Sequence, residues 1–418
     1  MACSVMTNAG RPTEHTRRDR GLSRPLTGSR PPCECRSIET TFGTTEPALA
    51  TERAVKLGAL RELLDRQALP ALALTGTDGV AWATGGLTNR IEAGNPASAA
   101  WVIVTPDAAY VITTNVELPR LQDEAGLGEF ELRGVDWFEA DGLVELAAEL
   151  AGAPAARVGG LGIDIADDLI DLRLALLPSE QERLATLAID ATVALETAVR
   201  EWTPGELDVT VQARVAGGLE AVGAFGACLI VGGDERVERF RHPLAAGKAI
   251  NHLVMAVVVA ERHGLHVAAT RFGSAGSLPD HVRTARVASA IIERAVLDAT
   301  RAGARYGDAL SALAEAYAGV GHAGEWRDHY QGGPVGYRQR EFEIVPTQVE
   351  SRWYSTPIAA GTAVAWNPSI AGGGKLEDTF LVEDGGLRCL TDSGAWPQVE
   401  IGGRPRSAIL DIATGAAA

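Results

Sequence analysis

Four short stretches of this chain hold the residues best able to do chemistry. His242 stands in RFRHPLAAGK. An imidazole titrates near neutrality, so it can take and return a proton within one cycle, which an amide cannot. Trp326–Tyr337 reads WRDHYQGGPVGY and is dense in ligand-binding side chains: Arg327, Asp328, His329, Tyr330, Gln331 and Tyr337. Its Gly-Gly-Pro allows close backbone approach. His329 can pair with Asp328 or Glu341 as a second acid–base, or orient a substrate carboxylate. Arg340-Glu341 follows, and the stretch 361–382, GTAVAWNPSIAGGGKLEDTFLV, supplies Asn367 and Glu377.

Several other chemistries lack their motifs. There is no G-x-S-x-G, no H-E-x-x-H and no paired cysteine ligand set. Gly372–Gly374 reads as a turn, because no helix start or Lys-Ser/Thr follows it. His263 and His266 lie three apart on an apparent strand, which sends them to opposite faces. Cys228 has apolar neighbours and reads as core. The five cysteines (Cys3, Cys33, Cys35, Cys228 and Cys389) are read as free thiols of a cytoplasmic protein.

The elements that must position these residues follow from periodicity. Arg53–Gln67 reads as an amphipathic helix through Val55, Leu57, Leu60, Leu63 and Leu64. Short β-rich runs follow at Ala71–Leu74, Trp101–Val104 and Tyr110–Thr113, with turns at Thr75-Gly76 and Pro106-Asp107. Asp141–Leu150 is helical, and Arg157–Ile165 looks like a strand. Ser179-Glu180-Gln181-Glu182 reads as a capping box before a long helix. A helix over 208–222, strands at Ala227–Val231 and Leu253–Val259, a helix from Pro279 to Ala302 and one at Asp308–Tyr317 complete the set. Helices alternating with strands place the chain in the α/β (α+β) class.

The formal net charge of −16 disfavours nucleic acid and anionic membranes as partners. The longest strongly apolar run, Leu253–Ala260, is far short of the roughly 20 residues that span a bilayer. Residues 1–48 carry seven arginines against five acidic residues and no apolar signal core, and are read as a disordered tail or a mis-assigned start.

The order and spacing of several segments resemble the creatinase/prolidase/aminopeptidase P family (peptidase M24). They are the TGG at Thr84–Gly86, VTPDAAYVIT, SEQERLATLAIDA, TPGELDVTVQ, Glu261, Gly264 and Thr270-Arg271. The resemblance implies a creatinase-like N-terminal domain over 50–165, a pita-bread catalytic domain over 178–395 and a C-terminal extension over 396–418. It also implies two metal ions, yet most ligand positions hold other residues. The two Asp positions are Val257 and Ala268, the ligand His is Gly333, the second His is Arg340, and Glu-Pro becomes Asn367-Pro368. Only Glu377 keeps its place. One carboxylate cannot hold two hard divalent cations, so no metal and no cofactor are expected.

What the resemblance leaves is a polar pocket. His242 takes the place of a histidine that lines the family's active site and is the proposed proton shuttle in creatinase. Glu341 and Glu377 are implied to face one cavity, with His329 as the other catalytic group. There the carboxylates either pair with Arg340 and Arg271 or hold a substrate guanidinium, amidinium or ammonium. Arg271, Gln331, Tyr337, Arg340 and Asn367 are the substrate-binding set. The function expected is a metal-independent creatinase-like hydrolase or lyase acting on a small polar metabolite, with a tailoring step in specialised-metabolite biosynthesis as one setting. The alternative is an inactive M24-like binding module. A homodimer is implied by the resemblance alone.

Overall fold

The computed structural model describes residues 46–88, 90–92, 94–401 and 403–417. Almost all of the tail 1–48, with Cys3, Cys33 and Cys35, lies outside them. Helix α1 (Glu46–Gln67) turns Leu57, Leu60, Leu63 and Leu64 to the core, the stripe its i, i+3, i+4 spacing demands. Val55 stays exposed.

A four-stranded sheet comes next, in the order β1 (Leu72–Gly76), β2 (Ala97–Val104), β3 (Ala109–Thr114), β4 (Glu131–Val135). All its pairings are antiparallel except β3–β4. Two sequence expectations fail here. Thr75-Gly76 does not open a turn; it leads into helix α2 (Thr77–Thr84), which ends where Gly85 takes φ 76° and its N–H meets the Ala81 and Trp82 carbonyls. Arg157–Ile165 is not a strand. Ala155–Arg157 form a 3₁₀ turn, and Gly159 makes only isolated bridges to Leu72 and Ile163. Helix α3 (Gly142–Ala151) closes this part.

Helix α4 (Pro178–Arg200) begins differently from the expected Ser179 box. Proline is the first helical residue, so Leu177 is the cap, and the Glu180 carboxylate accepts its N–H at 2.7 Å. Ser179 Oγ is freed to donate to Glu52 Oε2 at 2.5 Å. Glu52 anchors a buried network joining α1 to α4. It receives Lys56 at 2.6 Å and Arg183 at 2.7 Å, and Lys56 also meets Glu180 at 2.7 Å. Burial would raise the Glu52 pKa, but the Arg183 and Lys56 partners prevail and hold it at about 2.

Two further sheets carry the site. The first has the order β12 (Ile409–Asp411), β7 (Leu265–Ser274), β6 (Leu253–Arg262), β5 (Phe225–Gly233). Strand β6 is buried on both faces, which its unbroken apolar run requires. α4 packs against β6 and β7, and α5 (Asp208–Glu220) packs against β5. A two-residue turn, His263 (φ 55°) and Gly264 (φ 82°), joins β6 to β7. A Cβ on Gly264 would lie 2.4 Å from the Ala81 Cβ, so only glycine fits. β12 docks parallel on β7, with Ile409 beside Phe272, so the stretch expected to be an extension adds a strand to the central sheet.

The second sheet is antiparallel, in the order β8 (Gly332–Val335), β9 (Ala363–Trp366), β10 (Asp378–Glu383), β11 (Gly386–Cys389). Helices α6 (Asp280–Ala299) and α7 (Tyr306–Gly319) pack on each other, and α6 also contacts β9. The two sheets meet along β7 and the start of β10. Thr270 N–H donates to the Glu377 carbonyl at 2.9 Å, and Thr379 Oγ1 bonds both the N–H and the carbonyl of Ala268 at 2.8 and 2.9 Å.

Candidate functional site

At that seam the chain Lys375-Leu376-Glu377 runs extended into β10, so Lys375 and Glu377 share a side. Every oxygen of the Glu377 carboxylate is engaged. Oε1 accepts from Arg340 Nη2 at 3.0 Å and Asn367 Nδ2 at 3.2 Å, and Oε2 accepts from Thr270 Oγ1 at 3.1 Å. Lys375 Nζ donates to Asn367 Oδ1 at 3.1 Å and sits 4.0 Å from Glu377 Oε2. Glu377, Lys375, Asn367 and Thr270 are all buried. Burial lowers the Lys375 pKa, Glu377 resists, and the Arg340 and Arg241 charges add to the lowering.

Two histidines stand beside this cluster. The His242 ring meets His329 edge-on at 4.9 Å and stacks over Tyr330 at 6.3 Å. Burial and then the Lys375 charge depress the His242 pKa below the ordinary histidine value, with Glu377 opposing. His329 is only 8% exposed. Its Nδ1 bonds the Tyr330 carbonyl, which fixes the proton on Nδ1. Nε2 is therefore a lone pair, and it is buried without a partner among the described residues. Burial first, then Lys375, push the His329 pKa down to about 2. Both rings are neutral at pH 7, His242 available as a base and His329 as an acceptor.

Two cavities border these groups. One of about 690 Å³ is lined by His329, Tyr330, Gln331 and Glu343 among others. One of about 190 Å³ is lined by Arg239, Arg241, Asp328, Ser369 and Lys375 among others. Burial raises the Glu343 pKa while Arg340 opposes it.

Of the residues singled out from sequence, the fold brings together His242, His329, Arg340, Asn367 and Glu377, and it commits Glu341, Arg271, Tyr337 and Gln331 to internal partners. Glu341 is buried against Arg173, whose Nε donates to it at 2.7 Å, and it also accepts the Tyr337 N–H at 2.7 Å. Burial raises its pKa against the pull of Arg173. Glu341 therefore does not share a cavity with Glu377 as an open carboxylate. Arg271 does not reach substrate space either: it is spent on Glu196 at 3.0 Å, Asp378 at 2.9 Å and the Thr391 carbonyl at 2.5 Å. The Tyr337 hydroxyl donates to Glu180 at 2.6 Å inside the α1–α4 network. Gln331 lines the larger cavity, but its amide donates to the Trp326 and His329 carbonyls and accepts from Tyr317, so it holds the loop that carries His329.

Lys375 and Glu343 escape the sequence reading, and Thr270 enters it only as half of the Thr270-Arg271 pair. Lys375 carries a usable signal, since it lies two residues before Glu377 in an extended stretch. Cys228 is not plain core. It is half-buried, and the charges of Glu377, Lys375 and Arg340 all reach it, while burial raises its pKa.

No family model matches the sequence, and no curated protein does. Solved structures do match. The prolidase of Pyrococcus horikoshii OT3 aligns over 80% of this chain and 97% of its own, with TM-score 0.64 and 17% identity. Dipeptidase PepE of Mycobacterium ulcerans aligns over 81% and 95%, with TM-score 0.65 and 21% identity. The chain has the pita-bread fold of the prolidases. Within that fold, the N-terminal domain of the FACT complex subunit SPT16 from chickpea also aligns, over 88% and 99%, with TM-score 0.61 and 12% identity.

The resemblance implies two metal ions at this seam. A di-metal centre needs several oxygen or imidazole donors. Among the described residues no three His, Cys, Asp or Glu side chains converge to hold a metal ion. Glu377 already serves Arg340, Asn367 and Thr270, and the Lys375 amine stands 4.0 Å away. A divalent cation there would face two fixed cations of the chain. Gly333, where the resemblance sets an imidazole, holds φ 153°, which favours glycine over any side chain. The donor set does not fit a metal pair.

The depressed histidines also carry a stability prediction. His329 and His263 have folded pKa values of about 2 and about 4, both below the unfolded value of 6.5. Between those limits the unfolded chain binds protons that the folded chain refuses. Stability should fall as pH drops below about 6.5, by up to about 1.4 kcal/mol per pH unit for each histidine. Urea titrations from pH 7 to pH 5 check this, and His329→Asn should flatten the slope by one histidine's share.

Proposed function

We propose that this chain is a metal-independent, creatinase-like hydrolase or lyase acting at a C–N or related bond of a small polar metabolite. The observation that carries the proposal is the neutral His329, whose buried Nε2 has no donor among the described residues, set edge-on to His242. An unpaired buried acceptor costs about 1–3 kcal/mol unless a ligand supplies the donor. That favours a site built to receive an N–H or O–H group. In this proposal His242, at the open edge, moves the proton. Asn367 and Lys375 offer polar contacts, and Glu377 and Arg340 hold the floor. A tailoring step in specialised metabolism is the proposed setting.

The catalytic role expected of Glu341 and the substrate-binding role expected of Arg271 are not carried into this proposal, because both side chains are buried in ion pairs, Glu341 with Arg173 and Arg271 with Glu196 and Asp378. The same saturation favours a second reading, a binding module that keeps the pocket and performs no chemistry. Turnover separates the two. Chelator-treated protein should convert at least one member of a panel of guanidino, amidino, N-alkylamino acid and dipeptide compounds. Binding of a panel member without product would sink the enzyme reading and leave the binding module.

A further inference from the structure

The chain holds only three lysines, Lys56, Lys248 and Lys375, among 38 basic residues. Their surroundings differ sharply. Lys248 is exposed. Lys56 is buried between two carboxylates, Glu52 at 2.6 Å and Glu180 at 2.7 Å, so its ammonium is fully compensated. Lys375 is equally buried, yet its one hydrogen bond among the described residues goes to a neutral amide oxygen, Asn367 Oδ1. The carboxylate nearest it, Glu377, is 4.0 Å away and already bonded to Arg340, Asn367 and Thr270. Lys375 also lines the cavity of about 190 Å³, alongside Arg239 and Arg241. An ordinary structural lysine would be placed as Lys56 is. A desolvated amine set near other cations and open to a cavity is the arrangement of an amine nucleophile.

We propose that Lys375 is a nucleophile that forms an imine with a small oxo acid bound in the cavity shared with Arg239 and Arg241. The Nζ lone pair adds to the carbonyl carbon, the carbinolamine forms, and its oxygen leaves as water. Ammonium plus ketone gives protonated imine plus water, so the proton lost when the amine forms returns with the leaving hydroxyl. No oxidant, reductant or third reactant is needed. Arg239 and Arg241 offer donors for the carboxylate, although Arg241 also pairs with Glu325. Asp328 and Glu238 line the same cavity and limit it to a compact monoanion. The inference does not depend on the C–N chemistry proposed above.

Borohydride trapping tests it. Full-length protein is incubated separately with pyruvate, glyoxylate and 2-oxobutyrate plus sodium cyanoborohydride, and peptides are mapped by mass spectrometry. Lys375 is expected to carry the reduced adduct at about tenfold or more the occupancy of exposed Lys248 in the native protein, and unfolding in guanidinium should erase that preference. Lys375→Arg keeps the charge and should abolish the site-specific label while Lys248 still reacts. Native labelling confined to Lys248, or no labelling at all, would overturn the proposal. Because the readout is covalent mass and not turnover, it fails or succeeds separately from the hydrolase or lyase assignment.

Discussion

Replacing His242 by alanine is expected to lower turnover of the chelator-treated protein by a factor of about 10²–10⁴, the range that a positioned general acid–base contributes. The argument rests on what surrounds the ring. His242 lies at the open edge of the cluster, neutral at pH 7, against His329 and Tyr330. Its pKa is lowered first by burial and then by the Lys375 charge, so the base form persists below the ordinary histidine range. The acid limb of kcat/KM should therefore fall at a pH below that of an unperturbed histidine. Removing the Lys375 charge by Lys375→Met should move the limb back up. His242→Ala protein that retains full turnover would exclude this ring from the mechanism.

The second large effect concerns folding. Arg173 is buried between Glu341 at 2.7 Å and Asp78 at 2.9 Å, and burial and the two carboxylates act on its pKa in opposite directions, the carboxylates prevailing. Arg173→Leu strands the buried Glu341 carboxylate, while Asp78 keeps Arg338 at 2.5 Å, and is expected to cost about 3–5 kcal/mol in urea unfolding. The double variant Arg173→Leu, Glu341→Leu should recover much of that loss, since replacing both partners removes the uncompensated charge. Glu341 also accepts the Tyr337 and Arg338 N–H groups at 2.7 and 3.3 Å, and so pins the turn that delivers Arg340 to Glu377. Loss of Arg173 should thus disturb the cluster from a distance. Equal stability of the single and double variants would show that no buried charge had been stranded.

These two cases mark what a sequence can and cannot disclose. The helices of the second half were legible because their apolar stripes are local. α6 and α7 begin within two residues of the positions periodicity indicates. α2 was not legible, because a short helix entered through Thr-Gly looks like a turn. The start of α4 was displaced because Pro178 takes the first helical position and leaves Leu177 to cap it. Within the site, Asn367 and Glu377 were readable from one contiguous stretch. Glu341 was misjudged because its partner Arg173 lies 168 residues away, and no local pattern announces that pair. Arg271 was misjudged for the same reason: its partners Glu196 and Asp378 are distant in the chain. Lys375 was overlooked as a flank of Glu377, although the scarcity of lysine in this chain singles it out.

The central claim is that Lys375 and Arg340 stand around Glu377 where the resemblance implies metal ions. The direct test is elemental analysis of protein expressed with added manganese, cobalt and zinc, then dialysed and quantified per chain. Metal content far below one equivalent of any of the three is expected, with turnover unchanged by chelation. Two tightly held equivalents, lost on treatment with chelator together with activity, would contradict it.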